Sequence, residues 1–404
     1  MIASYMAGES SATGRRLSRV ETSSRLRFPA LAVYPSPAVI YLDNNATTRP
    51  DARVLERIAR VSANAWGNPG SAHQLGRRAR QELETAREQI ADALDADPDD
   101  VVFTSGATES CNLAIRGLAR RPGPIAQLAG DHPASWEAVD ELATRGWSRA
   151  TIPLRPDGSL GGVDALPWDA LTLLTLPLAH NETGVVFDVD DLAVRCRRHR
   201  VAWHLDATQA VGRVPVSVRS LGMSALSLSG HKLHGPRGVG AVVCGRGVTL
   251  RPQQLGGHQE AGRRAGTEAV ALAAGLAEAV TLVTSELVER TARMKRLRDR
   301  FESAITSQTD ARVIAGDSPR LPNTSCLLFP AQEGEPLLVA LDLAGVCCSL
   351  GSACASGSPE PAPVLLAMGL EAETARRCLR FSLSHETTED EIDAAVAAIA
   401  RLVR

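Results

Sequence analysis

Charge of one sign is missing from this chain. Its 44 Lys and Arg against 46 Asp and Glu leave a formal net charge of −2 over 404 residues. No basic field exists to hold nucleic acid, and DNA is not an expected partner. Long apolar runs are missing too: none reaches about 18 residues, so no membrane-spanning helix is expected and the chain reads as soluble. Its eight cysteines, Cys111, Cys196, Cys244, Cys326, Cys347, Cys348, Cys354 and Cys378, include no C-x-x-C pair and no zinc-like spacing. No metal site is expected, and a reducing compartment, the cytoplasm, is.

The length allows two domains and a sizeable core. Residues 1–38 carry seven serines, five arginines and two acids, Glu9 and Glu21, without apolar periodicity before Pro29. They read as a flexible extension; an organellar transit peptide fits less well because of the two acids. Ordered sequence begins with Val39-Ile40-Tyr41-Leu42, a short strand running into Asp43-Asn44-Asn45-Ala46-Thr47-Thr48, whose side chains can bond their own backbone. From Ala79, apolar residues at Leu83, Ala86, Ile90 and Leu94 predict an amphipathic helix.

Several short apolar runs then stop at polar turns. The run 101–103 ends in Thr104-Ser105-Gly106-Ala107-Thr108-Glu109, with helical character over 112–118. Free N–H groups at such a helix start, joined by the Thr108 hydroxyl, suit a phosphate. The run 171–178 stops at Ala179-His180-Asn181, 201–205 at Asp206-Ala207-Thr208-Gln209, and 225–228 at Ser229-Gly230-His231-Lys232, with a crossover helix expected over 189–200. Strands alternating with helices predict an α/β fold built on a mostly parallel sheet. Ligands bind outside the carboxyl ends of such strands, where these polar residues collect.

Lys232 sits in the turn between its strand and the apolar stretch 239–244. A lysine held there by scaffold can form a Schiff base with a carbonyl, and His231 and Ser229 flank it as phosphate-type donors. A glycine-rich loop with two arginines spans 255–267, and a helix over about 285–305 marks a domain boundary. A smaller α+β unit follows, with strands at 323–329 and 378–383, a helix at 335–343 and a last helix opened by a Thr388-x-x-Glu391 capping box. Within it, Gly351-Ser352-Ala353-Cys354-Ala355-Ser356-Gly357-Ser358-Pro359 gives a cysteine no apolar face to be buried against. That composition predicts a mobile, exposed loop and makes Cys354 the reactive thiol.

Taken in order, eight stretches carry a resemblance over about 41–403. They are Leu42-Asp43-Asn44-Asn45-Ala46-Thr47-Thr48, Gly67-Asn68-Pro69, Ser105-Gly106-Ala107-Thr108-Glu109, Asp206-Ala207-Thr208-Gln209, Ser229-x-His231-Lys232-x-x-Gly235-Pro236-x-Gly238-x-Gly240, Gln259-Glu260-x-Gly262-x-Arg264-x-Gly266-Thr267, Gly351-Ser352-Ala353-Cys354 and Arg380-Phe381-Ser382. Together they resemble the cysteine desulfurases, pyridoxal-phosphate enzymes of the class V aminotransferase group. The resemblance implies a PLP-dependent transferase fold of type I, aspartate aminotransferase-like. It would have a large PLP-binding domain over 54–287 and a small α+β domain made of 39–53 with 288–404.

It further implies that Lys232 holds pyridoxal 5'-phosphate, that Asp206 keeps the pyridine nitrogen protonated, and that Gln209 and Asn181 approach the ring oxygen. Ala107, Thr108, Ser229 and His231 would cradle the phosphate, joined by Thr267 of a second copy, so a homodimer is implied. His132, in Asp131-His132-Pro133-Ala134, corresponds to the histidine that stacks on the ring and moves protons. Arg380 would clamp the carboxylate of L-cysteine, with Asn181 and Asn44 in the same substrate set. Cys354 would take the sulfur as a persulfide, releasing alanine, and hand it to a sulfur-acceptor protein. The residues after Cys354 resemble the long-loop type associated with iron–sulfur assembly and tRNA thiolation.

The chain departs from the family at His180, where asparagine is usual, at Cys111, usually Asp or Asn, at Leu350, usually Ser, and at Ser384, usually Gly; His258 also stands in the glycine loop. None of these removes a group the chemistry needs. Two other readings share the residues: another enzyme of the same cofactor fold, such as a selenocysteine lyase or an aminotransferase, and a non-catalytic assembly protein. Transamination has no use for a thiol at Cys354. The joint presence of Lys232, Asp206, Cys354 and Arg380 speaks against the second.

Overall fold

The apolar runs that end in polar turns form strands. The computed structural model describes residues 39–350 and 360–403. Its strands are β1 (Ile40–Tyr41), β2 (Val101–Thr104), β3 (Pro124–Leu128), β4 (Ser148–Ile152), β5 (Leu173–Pro177), β6 (Ala202–Asp206), β7 (Ala225–Ser229), β8 (Gly240–Cys244), β9 (Arg312–Val313), β10 (Thr324–Leu328), β11 (Val346–Cys347), β12 (Ser349–Leu350) and β13 (Cys378–Ser382). Seven of them make one sheet in the order β2-β8-β7-β6-β5-β3-β4. The neighbours from β7 through β4 are parallel, while β8 runs antiparallel to both β7 and β2. The reversal follows from loop length: residues 230–239 fall short of the dozen or so that a parallel crossover needs.

Both faces of this sheet are buried except along edge strand β4, as its leucine- and valine-rich inner strands require. On one face Leu174, Leu176, Leu205 and Leu226 share a core with Leu83 and Ile90 of the helix Gln74–Leu94 and with Leu276 and Val280 of the helix Val270–Ser285. On the other, Ile125, Leu173 and Val242 meet Leu113 and Ile115 of the helix Ala107–Leu118 and Leu142 of the helix Pro133–Ala143. The helix expected from Ala79 starts earlier, at Gln74, because the His73 ring accepts the Gly76 N–H at 3.2 Å and caps it. It ends at Asp95, whose φ of 53° turns the chain away. The helix Val270–Ser285 has no counterpart in the sequence reading: it is apolar nearly all round, so no amphipathic period marks it.

A second sheet, β12-β13-β10-β9, is antiparallel. One of its faces packs Leu327, Phe329 and Phe381 against Leu297, Phe301 and Ile305 of the helix Leu287–Gln308 and Ile392, Val396 and Ile399 of the helix Glu389–Leu402, with Ile40 and Leu42 in the same core. The rings of Phe301 and Phe381 lie 5.1 Å apart. The capping box is present: the Thr388 hydroxyl accepts from Glu391 N, and the Glu391 carboxylate accepts from Thr388 N. β1 pairs in parallel with β11, and Asp43 bridges to Ser382 of β13, so the first strand is laced into this half of the unit.

Candidate active site

Five turns, after β2, β3, β5, β6 and β7, open onto one cavity of about 1000 Å³. Parallel pairing sends these strands the same way, so their carboxyl ends share an edge; antiparallel β8 starts there, at Gly240. Of the residues singled out from the sequence, Ala107, Thr108, His132, Asn181, Asp206, Gln209, Ser229, His231, Lys232 and Arg380 line this cavity. Asn44 and Thr267 do not. The Asn44 amide is buried and donates to the carbonyls of Tyr41 and Ser382, and its neighbour Asn45 lines the cavity instead. Cys354 lies outside the described residues.

At one end of the cavity the helix Ala107–Leu118 begins after Gly106 with no side chain capping it. Its first N–H groups therefore point out unpaired, with the dipole favouring an anion. The Ser229 hydroxyl, 1% exposed as a residue, has no hydrogen-bond partner among the described residues, nor has the Thr208 hydroxyl. Gly240 pairs with Thr104 on one side and Ser229 on the other. A Cβ there would stand 2.5 Å from the Leu228 carbonyl and 2.8 Å from Gly106, so only glycine lets the two turns come together. The glycine-rich loop is anchored beside this end: Arg264 donates to Glu109 at 2.8 Å, and buried Glu260 takes a bidentate pair from Arg87 at 2.9 and 3.0 Å.

In the middle, buried Asp206 accepts the Thr208 N–H on Oδ1 at 2.9 Å. Its Oδ2 is 3.6 Å from the Cys111 sulfur, whose S–H donates to it. Burial and the Asp206 charge hold Cys111 well above the usual thiol range, so it stays protonated. Below lies a buried polar row, with His204 bonded to Thr175 at 2.9 Å and Ser227 at 2.8 Å and pushed down to about 4 by burial. Burial and Asp206 push Asp131 up to about 7; its carboxylate accepts from Gln127 and from the His132 backbone. The Lys232 amine donates to the carbonyls of Asn45 at 2.6 Å and Ala46 at 2.8 Å. Gln209 also donates to Asn45, at 3.0 Å.

His132 caps its own helix: Nδ1 accepts the Ala134 N–H at 3.1 Å. That fixes the neutral tautomer with the proton on Nε2. Burial lowers its pKa, with Lys232 acting the same way and Asp206 opposing. His180 ties the turn after β5 to the turn after β3: Nδ1 accepts the Glu182 N–H at 3.1 Å, leaving Nε2–H to donate to the Gly130 carbonyl at 3.2 Å. Burial pushes it down to about 4.

At the far end Arg380 extends from the middle of β13, held by Glu182 at 2.6 Å and Asp43 at 2.7 Å. Burial pushes the Glu182 carboxyl up, against the pull of Arg380. The sequence reading missed Glu182, Asp43 and Asn45, although each adjoins a residue it named. Ser349 of β12 faces Arg380 in register and also lines the cavity.

Pyridoxal phosphate fits this donor set on the structure's own terms. The uncapped helix start and the orphaned Ser229 hydroxyl would take its phosphate, Asp206 its ring nitrogen and the Lys232 amine its aldehyde carbon.

Known proteins are similar to this chain over most of its length. The Aminotransferase class-V family model matches residues 40–395. A cysteine desulfurase from Trichormus azollae is 40% identical over 372 residues, covering 91% of this chain and 93% of that one. A solved NifS-like protein superposes with a TM-score of 0.85 at 33% identity, over 90% of this chain and 99% of its own. The structure described as SspA in complex with cysteine does so with a TM-score of 0.74 at 29% identity, over 86% and 99%. With a family model running from Ile40 into the last helix and a relative of such identity spanning both proteins, the chain belongs to the class-V aminotransferases and, within them, to the cysteine desulfurase family.

Proposed function

We propose that this chain takes sulfur from free L-cysteine, releasing L-alanine and leaving a persulfide on Cys354 for transfer to an acceptor protein. The observation that carries the reading is the meeting of Lys232, Asp206, His132 and Arg380 in one cavity. The cysteine bound to a solved relative supports the substrate.

When bound, pyridoxal 5'-phosphate supplies an electron sink beside the substrate's α-carbon. The Lys232 amine would hold the cofactor and would take up the substrate's α proton on Nζ. The Asp206 carboxylate would keep a proton on the ring nitrogen, and Gln209 and Asn181 would orient the ring oxygen. Arg380 receives the substrate carboxylate. Its two carboxylate partners among the described residues differ in access, with side-chain exposures of 21% for Asp43 and 4% for Glu182. Asp43 is therefore the contact that substrate replaces, while Glu182 keeps the guanidinium aimed. His132, protonated on Nε2, donates toward the substrate.

The sulfur step balances within this set. The Cys354 thiolate attacks the substrate's sulfur; an S–S bond forms and the Cβ–S bond breaks, its electron pair staying with the carbon skeleton, which is protonated and leaves as alanine. Cys354 follows Ser349 by five residues, and Ser349 lines the cavity, which supports its access to the sulfur.

A second copy of the chain would supply Thr267, which is absent from its own cavity lining. Exposed Trp66 and Leu255, 70% and 81% accessible, support such an interface. An acceptor of the iron–sulfur or thiolation type would collect the persulfide sulfur, in the cytoplasm.

The test is stoichiometric. Incubation with L-cysteine and dithiothreitol yields alanine and sulfide in equal amounts from the parent and neither from Cys354→Ala. A parent that binds cofactor yet makes neither product overturns the reading.

A further inference from the structure

Arg213 is a buried cation that the reaction as described leaves without a task. It is 7% exposed, and no carboxylate among the described residues forms an ion pair with it. Burial lowers its pKa to about 10. An uncompensated buried charge is costly and persists where its hydrogen bonds are well made.

Those bonds go to two places. Nη1 donates to the Gln209 side-chain oxygen at 2.7 Å and to the Gln209 carbonyl at 2.9 Å. Nη2 donates to the Lys232 carbonyl at 3.2 Å. One planar group thus joins the turn after β6 to the turn after β7. Gln209 and Arg213 are four residues apart in a helical turn closed by the Val211 N–H to Ala207 and the Arg213 N–H to Ala210 bonds, which puts them on one side.

The chemistry of the guanidinium decides what this does. It donates and never accepts, so the amide facing it must present oxygen. The Gln209 nitrogen is thereby turned the other way, where it donates to Asn45, the same carbonyl that receives the Lys232 amine. A carboxamide is otherwise free to sit either way round. We propose that Arg213 is a positioning residue that locks the Gln209 amide with its N–H groups toward the cavity and holds the Lys232 turn against it, so that the cofactor's ring oxygen meets a donor. This rests on the cofactor-binding reading above.

The experiment compares holoenzyme of the parent with Arg213→Met, Arg213→Lys, Gln209→Leu and the Arg213→Met/Gln209→Leu double variant. It reads the pH midpoint of the cofactor's visible absorption and the cofactor dissociation constant. Loss of one charged hydrogen bond predicts about tenfold weaker cofactor binding and a midpoint shift of about one pH unit in Arg213→Met. Arg213→Lys, whose donors all sit on one nitrogen where the guanidinium spreads them over two, should fall between. Gln209→Leu should match Arg213→Met, and the double variant should add nothing further. If Arg213→Met does not fold, the Lys variant carries the test alone. A parental midpoint and affinity in Arg213→Lys and Arg213→Met, or effects that multiply in the double variant, overturn the proposal. A parent with no visible band overturns the cofactor reading and this one with it.

Discussion

Around the large sheet the site side chains stand at strand ends or just past them, whereas Arg380 stands in the middle of β13, inside a five-residue strand buried throughout. Turn residues can be exchanged with little cost to the strands beneath, because their backbone bonds already leave the ladder. A side chain in mid-strand shares its backbone with the core: Arg380 lies beside Phe381, which packs on Phe301, and pairs across with Cys326 of β10. Chemistry on the first side should therefore separate from stability, and chemistry on the second should not.

The largest effect that would sharpen this contrast is on Lys232. Lys232→Ala should lose alanine formation to the limit of detection while unfolding in denaturant close to the parent. A large fall in stability would break the comparison. On the other side, Phe381→Ala empties part of a fully buried core and should cost about 3–5 kcal/mol in urea unfolding. Activity should fall with the folded fraction and through looser aim of Arg380.

A third effect is set by pH. His180 is held neutral with a pKa of about 4, against about 6.5 in the unfolded chain. Below pH 6.5 the unfolded state takes up a proton that the folded state refuses. The stability is present in full above that pH and falls as pH drops toward 4, by about 3 kcal/mol for this group. His180→Asn should flatten the slope by about one proton between pH 6.5 and 4, seen by denaturant unfolding at several pH values. An unchanged slope would mean that the two loops it ties open before the core does. The smallest effect belongs to Cys111. Exchanging its weak S–H donor for an amide, Cys111→Asn, should strengthen the bond to Asp206 and move the visible band's pH midpoint by less than about one unit.

The turn side of the molecule was legible in sequence, and the reason is physical. Short apolar runs must stop where backbone leaves the sheet, and the polar residues at those stops were the ones found lining the cavity. The strand boundaries at 173–177, 202–206 and 324–328 fall within one or two residues of expectation for the same reason. Composition carries no such mark for Val270–Ser285, buried over most of its surface, nor for Pro133–Ala143. Arg213 and Glu182 were invisible as parts of the site because their meaning lies in contacts with other elements, Arg213 with the turn after β7 and Glu182 with mid-strand Arg380. Asn44 and Asn45 differ by one residue, and the chain's turn between β1 and the cavity, not the residue type, decides which of them faces in.

Gly240 has a consequence for how the phosphate end keeps its dimensions. The two strand ends that flank it, at Thr104 and Ser229, are paired in register with the same backbone position, one on each side. Its width is therefore two ladder spacings, about 9.5 Å, a gauge made of main chain alone. Repacking of leucines elsewhere in the core cannot open or narrow such a seat. Only a residue with a side chain at that single position, or a register slip of β8, would change its size.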